Sequence, residues 1–157
     1  VNSVCRALNP AHAPAQIQGV FHPPYRVSQQ QVARLLEQPR SAIFKGGGGE
    51  AMINPLKPCR VAWVRDGAAG EENWPAFATD ETYAWREEPL TPDRVAALWH
   101  GALSLPIPEA AVIGTTALAL HTLGRAGSVA EAAEQAGQMW RCRRAATTSA
   151  IPKTGAA

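Results

Sequence analysis

"AQIQGVFHPPYRVSQQQVARLLEQPRSAIFKGGGGE", residues 15–50, decides the fold. Residues 15–21 alternate Ile17, Gly19 and Phe21 between prolines, which is the two-residue period of a strand. Over residues 27–38, Val32, Leu35 and Leu36 share one helical stripe. Ser28 is placed to cap this helix and Pro39 stops it. "RSAIFKG" (40–46) is a second short strand. Strand, helix and strand with short connections predict a βαβ unit, and so two parallel strands.

Outward from this unit the pattern stays legible. "VNSVCRAL" (1–8) ends at an Asn-Pro step and predicts the last turns of a helix. "CRVAWVRDG" (59–67) predicts a third strand. Its apolar positions Val61 and Trp63 and its polar Arg60 and Arg65 suit a half-buried edge, ending at the turn dipeptide Asp66-Gly67. Residues 68–90 read as an irregular acidic excursion holding Trp74, Tyr83 and Trp85. Three helices follow. One spans 91–103, with Thr91 as cap and Pro92 at its first position. The second spans 107–127. The third spans 128–144 and opens on a capping box of Ser128 and Glu131. Residues 145–157 are small and polar and are expected to form a flexible tail. The prediction is one α/β domain over residues 1–144, with a mainly parallel sheet flanked by helices.

Composition supports a folded domain. The chain has 157 residues, of which 46% are hydrophobic, enough for a core of its own. Its longest apolar stretch, 110–120, is too short to span a bilayer. The first residues carry neither a basic n-region nor an apolar h-region, nor an initiating Met. Val1 is therefore read as the start of a fragment or a processed chain. Cys5, Cys59 and Cys142 are odd in number and widely spaced, which argues for reduced thiols in a cytoplasmic protein rather than a disulfide framework or a zinc site. Charge is segregated. Residues 1–65 carry Arg6, Arg26, Arg34, Arg40, Lys45, Lys57, Arg60 and Arg65 against Glu37 and Glu50, a net +6. Residues 66–93 carry eight acids against Arg86, a net −7. Such polarity suggests an anionic partner for the first segment, or an ordinary solvated surface.

The glycine run Gly46, Gly47, Gly48, Gly49 raises the question of a phosphate cradle. A Walker loop needs its lysine after the glycines and a hydroxyl next; here Lys45 precedes them. A dinucleotide fingerprint must enter a helix, whereas this run leads to Pro55. Two readings stay open: a backbone loop approaching an anion at the C-terminal end of a parallel strand, or a flexible turn. His22 is open in the same way, as a contact to phosphate or base, or as a locally bonded turn residue. His12, His100 and His121 share no spacing with one another or with carboxylates that would hold a metal. Ser3, Ser28 and Ser41 lack a nucleophile-elbow context, and Cys5 and Cys59 show no sign of activation. The five tryptophans offer stacking surfaces, although Trp99 and Trp140 lie on apolar helical faces and read as core. Arg141, Arg143 and Arg144 suit either phosphates or the end of a helix dipole.

"ALNP", "GVFHPPY", a helix with "VARLL" and "AIFKGGGGE…NP", in this order, resemble the second half of the anthranilate phosphoribosyltransferase-like proteins, glycosyltransferase family 3. "AAVIGTTALAL…GRA…AEAAEQA" is similar to that family's C-terminus. "VFHPPY" and the lysine before the glycines resemble more closely its non-biosynthetic, YbiB-type nucleic-acid-binding branch. In the enzymes an Asp-Glu pair after the glycines helps to hold magnesium. The matching positions here are Ala51 and Met52, which cannot ligate a hard cation. The enzymes' principal phosphoribosyl-diphosphate loop would lie upstream of Val1. The resemblance implies the C-terminal half of a nucleoside phosphorylase/phosphoribosyltransferase-like domain, without catalysis or a cofactor of its own. It implies binding to single-stranded DNA or RNA, no membrane, and homodimerisation of the full-length protein through a region outside this chain. The expected binding residues are His22, Arg26, Lys45, Gly46, Gly47, Gly48, Gly49, Lys57 and Arg60, with no metal ligand. The rival expectation is a fragment of a magnesium-dependent phosphoribosyl or glycosyl transferase, and the third a remnant without activity.

Overall fold

A computed structural model describes residues 2–47, 50–79, 83–84, 89 and 91–150, excepting the side chains of residues 2–3 and 144–150. The elements run α1 (Asn2–Ala7), β1 (Gln16–Val20), α2 (Tyr25–Leu35), β2 (Arg40–Lys45), β3 (Cys59–Arg65), β4 (Ala68–Trp74), α3 (Pro92–His100), α4 (Pro106–Thr122) and α5 (Val129–Ala150). The βαβ unit is as predicted: β1 pairs with β2 in parallel, Gln16 opposite Ser41 through Val20 opposite Lys45. Its helix starts earlier than Ser28, however. Pro24 occupies the N-cap without a side-chain bond, and the turn is closed by Tyr25 N–H to His22 O (3.1 Å) and Arg26 N–H to Pro23 O (3.0 Å).

The sheet as a whole is mixed, not mainly parallel. Its order is β1-β2-β3-β4, and both later pairings are antiparallel. The reason lies in the connections. Helix α2 lets the chain return in the same direction, whereas the β2–β3 connection, 46–58, contains no helix among its described residues to carry a crossover, so the chain turns back. The third strand is therefore central rather than an edge, with Val61, Ala62 and Val64 all buried. Residues 68–74, expected to be irregular, form the edge strand β4. Asp66 and Gly67 both have positive φ, 49° and 84°, as a two-residue type I′ hairpin requires. Gly70 has a packing reason of its own, since a Cβ there would collide with the Trp63 ring on the facing strand.

Helix α2 packs on β2 and β3, and α4 packs on β1 and β2 with α5 behind it. The core joins Ala42, Phe44, Val61 and Trp74 of the sheet to Ala117 and Leu118 of α4 and Ala132 and Ala136 of α5. Helix α4 is apolar on most sides, and its buried Ala111, Gly114 and Ala117 are small. Close approach follows: a Cβ at Gly114 would stand 2.9 Å from the Phe77 ring. Thr91 caps α3 by accepting from Arg94 N–H (3.3 Å), and Gly101 ends it with φ 68°. Ser128 Oγ accepts from Glu131 N–H (3.1 Å), so Ser128 caps the helix as predicted, but the Glu131 carboxylate reaches past the cap residue to accept from Gly127 N–H (2.7 Å). Helix α5 extends to Ala150, well into the stretch expected to be a tail; residues 151–157 lie outside the described residues. Arg143 is used internally. It stacks on Trp140 (3.8 Å) and donates to Leu98 O (2.8 Å), Trp99 O (2.8 Å) and Trp140 O (2.7 Å), holding the C-terminus of α3 against α5. Trp140 is buried as predicted, but Trp99 remains 44% exposed.

Candidate functional site

The mixed topology gathers one rim of the sheet. The C-terminal ends of β1 and β2 and the N-terminal end of β3 meet there, because β3 runs the opposite way. Arg26, Lys45, Gly46, Gly47, Lys57 and Arg60 line a cleft of about 480 Å³ at this rim, together with Asn54, Pro58 and Cys59. Most of the residues predicted from the sequence thus share one cavity wall. His22 does not line the cleft; it is exposed beside it, edge-on to Phe21 (4.5 Å between centroids) and Tyr25 (6.0 Å). Gly48 and Gly49 lie outside the described residues, as does Trp85.

The glycines answer to the chain before any ligand. Gly46 is buried, and its N–H donates to Val20 O (3.0 Å), extending the β1–β2 ladder by one step. A Cβ at Gly46, or at Gly19 on β1, would collide with the carbonyl oxygen of Glu50. The loop folds back over the strand ends so closely that two glycines are needed beneath it. Gly47 is exposed, and the Glu50 carboxylate lies against it. Thr115 of α4 anchors the far side of the loop by accepting from Ile53 N–H (3.1 Å).

The charge segregation of the sequence is partly offset at the hairpin. Arg26 and Arg60 share Glu71 (3.3 and 3.9 Å), Arg65 pairs with Glu72 (3.2 Å) and Arg40 with Asp66 (3.7 Å). Lys45 donates to Gly46 O (2.7 Å) and sits over the Phe21 ring (5.1 Å). Lys57 makes no ion pair among the described residues. Four cations therefore surround the cleft against Glu71 and the neighbouring Glu50, and the balance is positive. Cys59, 7% exposed, closes the floor. Burial pushes its thiol above the ordinary range, outweighing the Lys45 backbone contact and the Arg26 charge that pull the other way. It is a protonated thiol at neutral pH, not a nucleophile. Among the described residues no group of three or more His, Cys, Asp or Glu is placed to hold a metal. Ala51 and Met52 line a separate apolar depression with Ala111, Val112 and Thr115 of α4.

A second polar cluster lies on the α4 side of the sheet, and no spacing in the sequence points to it. Glu72 accepts from Arg65 and from the indole N–H of Trp74 (3.0 Å), with His121 Nε2 at 3.5 Å. His121 Nδ1 donates to Ala126 O (3.0 Å), which leaves Nε2 to accept from Arg65 (2.9 Å). Each of these four side chains has a polar partner, and Trp74 is wholly buried, so this cluster serves packing. Glu71 and Asn54 also belong to the cleft region without having been expected there. Asn54 carries no signal in the sequence, while Glu71 follows once Asp66-Gly67 is taken as the turn of a full hairpin. The chain matches no known family model and no curated protein sequence.

Proposed function

We propose that this chain is a non-catalytic domain, similar to glycosyltransferase family 3, that binds single-stranded DNA or RNA through its backbone phosphates with little sequence specificity. One observation carries the reading: Arg26, Lys45, Lys57 and Arg60 converge on one cleft at the glycine-loop rim. A positive cleft of this kind suits phosphates, whose contacts carry no sequence information. The resemblance noted in the sequence favours a phosphoribosyltransferase-like ancestry. Ala51 and Met52, where those enzymes carry a magnesium-binding acidic pair, weigh against retained transfer chemistry. Fluorescence anisotropy with short oligonucleotides across a salt series tests this. Binding should fall linearly in log K against log salt. The triple variant Lys45→Ala, Lys57→Ala, Arg60→Ala should flatten that slope by about 0.7 for each phosphate of a single strand that is no longer neutralised. No association at low salt, or an unchanged slope, would overturn the reading. Magnesium-dependent phosphoribosyl transfer by the purified chain would establish the rival transferase.

A further inference from the structure

We propose that Phe21 and Tyr25 form a stacking ledge for unpaired bases at the lip of the basic cleft, and so set its preference for single strands over duplex. The proposal rests on the reading that the cleft binds nucleic-acid phosphates. Phe21 is 52% exposed and Tyr25 54% exposed, although large aromatic rings on a folded domain are normally covered. Both belong to the turn that also delivers Arg26 into the cleft, and Lys45, another lining residue, sits over the Phe21 ring. Ring and cation are thus adjacent, the pairing needed to hold a base and its neighbouring phosphate at once.

The ledge is preorganised. Pro23 and Pro24 fix two φ angles between the rings, and the His22 and Pro23 carbonyls accept from the Tyr25 and Arg26 amides. His22 packs at steep angles to both rings and Lys45 lies over Phe21, and with these contacts in place both rings stay about half exposed. A base offers its face only when unstacked, so duplex gains nothing from such a surface. Sequence tolerance follows, because every base has a π face.

The test compares four ligands of equal length on the parent chain by anisotropy: oligo-dT, oligo-rU, an abasic deoxyribose-phosphate strand and a duplex. Both base-bearing single strands should bind tighter than the abasic strand, by roughly tenfold for each ring engaged. In Phe21→Ala/Tyr25→Ala this advantage should vanish while the salt slope stays that of the parent. Phe21→Leu, which keeps apolar bulk without the ring, should lose its own share. If the parent binds abasic and base-bearing strands equally, or duplex as tightly as single strands, the ledge is refuted while the phosphate cleft stands. If the abasic strand does not bind at all and the triple lysine and arginine variant changes nothing, the cleft reading itself has failed.

Discussion

Replacing Gly46 by alanine tests why glycine stands at the end of β2. A Cβ there would collide with the Glu50 carbonyl oxygen and stand 3.2 Å from its carbon and 3.4 Å from the Glu50 nitrogen. All three are backbone atoms, so relief requires moving the chain at Glu50. That chain is held by Met52 N–H donating to Glu50 O (2.9 Å) and by the Thr115 contact to Ile53 N–H. Overpacking of this kind costs about 1–3 kcal/mol. For a domain of this size that lowers Tm by roughly 2–12 °C. Gly47→Ala is the control. Its nearest neighbour is Glu50 Oε1 at 2.7 Å, the end of a side chain that can rotate away. Its cost should stay under about 0.5 kcal/mol, offset by the reduced freedom of the unfolded chain. Gly19→Ala presses on the same carbonyl from β1. Once one alanine has displaced that carbonyl, the second should cost less, so the double variant should fall short of the summed singles by about 0.5 kcal/mol or more. Urea unfolding followed by tryptophan fluorescence, to which the wholly buried Trp74 contributes, measures all four variants. If Gly46→Ala is as mild as Gly47→Ala, or if the Gly19 and Gly46 costs simply add, close approach of the loop is not why these glycines are there.

Glu72→Ala should destabilise by about 2–4 kcal/mol, because it strands the indole N–H of buried Trp74 and a guanidinium N–H of Arg65. A urea-derived loss below about 0.5 kcal/mol would show that the cluster is dispensable. Burial raises the Glu109 carboxyl pKa, but bonds from Trp140, Leu105 and Ser104 and the charge of Arg143 outweigh it and leave the group below its ordinary 4.5. A depressed folded value means stability that is present above about pH 4.5 and is lost as pH falls through the lower folded value. The Tm difference between parent and Glu109→Gln should therefore shrink on acidification, and a pH-independent difference would refute the linkage. Cys5 and Cys142 are exposed and Cys59 is buried, so alkylation read by mass should label the first two in the native protein and Cys59 only in denaturant. Rapid native labelling of Cys59 would contradict its buried, protonated state.

Local signals are legible in the sequence wherever a side chain acts on its own neighbours. Thr91 and Ser128 cap their helices because capping depends on residues three positions away. The βαβ unit is readable because a helix between two apolar runs leaves few topologies. The mixed sheet is not: no single residue marks the reversal between β2 and β3, and β4 carries little strand signal of its own. "AAGEENW" has no β-branched residue, and its place in the sheet comes from Arg65 and Glu72 pairing and from Gly70 receiving Trp63 across the strands. Asp66-Gly67 marks the turn, but nothing in the residues after it marks the returning strand. At the cleft the cations are legible and their neutralisation is not, since Glu71 lies 45 residues from Arg26. The glycines resemble a ligand loop, and two positions, Gly19 and Gly46, are fixed by a carbonyl oxygen that no spacing rule contains.

The sheet is also laid down in the order in which its strands occur along the chain. No strand must be inserted between two others already paired, so growth proceeds by addition at an open edge. The two-residue turn between β3 and β4 closes the shortest loop in the sheet, and hairpins of this kind form in roughly 1–10 μs. Pairing of β1 with β2 waits on α2, and the small-residue face of α4 can dock only on a finished surface. Substitutions at Asp66 or Gly67 should therefore act mainly on the rate of folding, and those at Ala117 or Ala132 mainly on the rate of unfolding. The turn that the acidic segment makes back along β3 is thus expected to form ahead of the helix-dependent pairings.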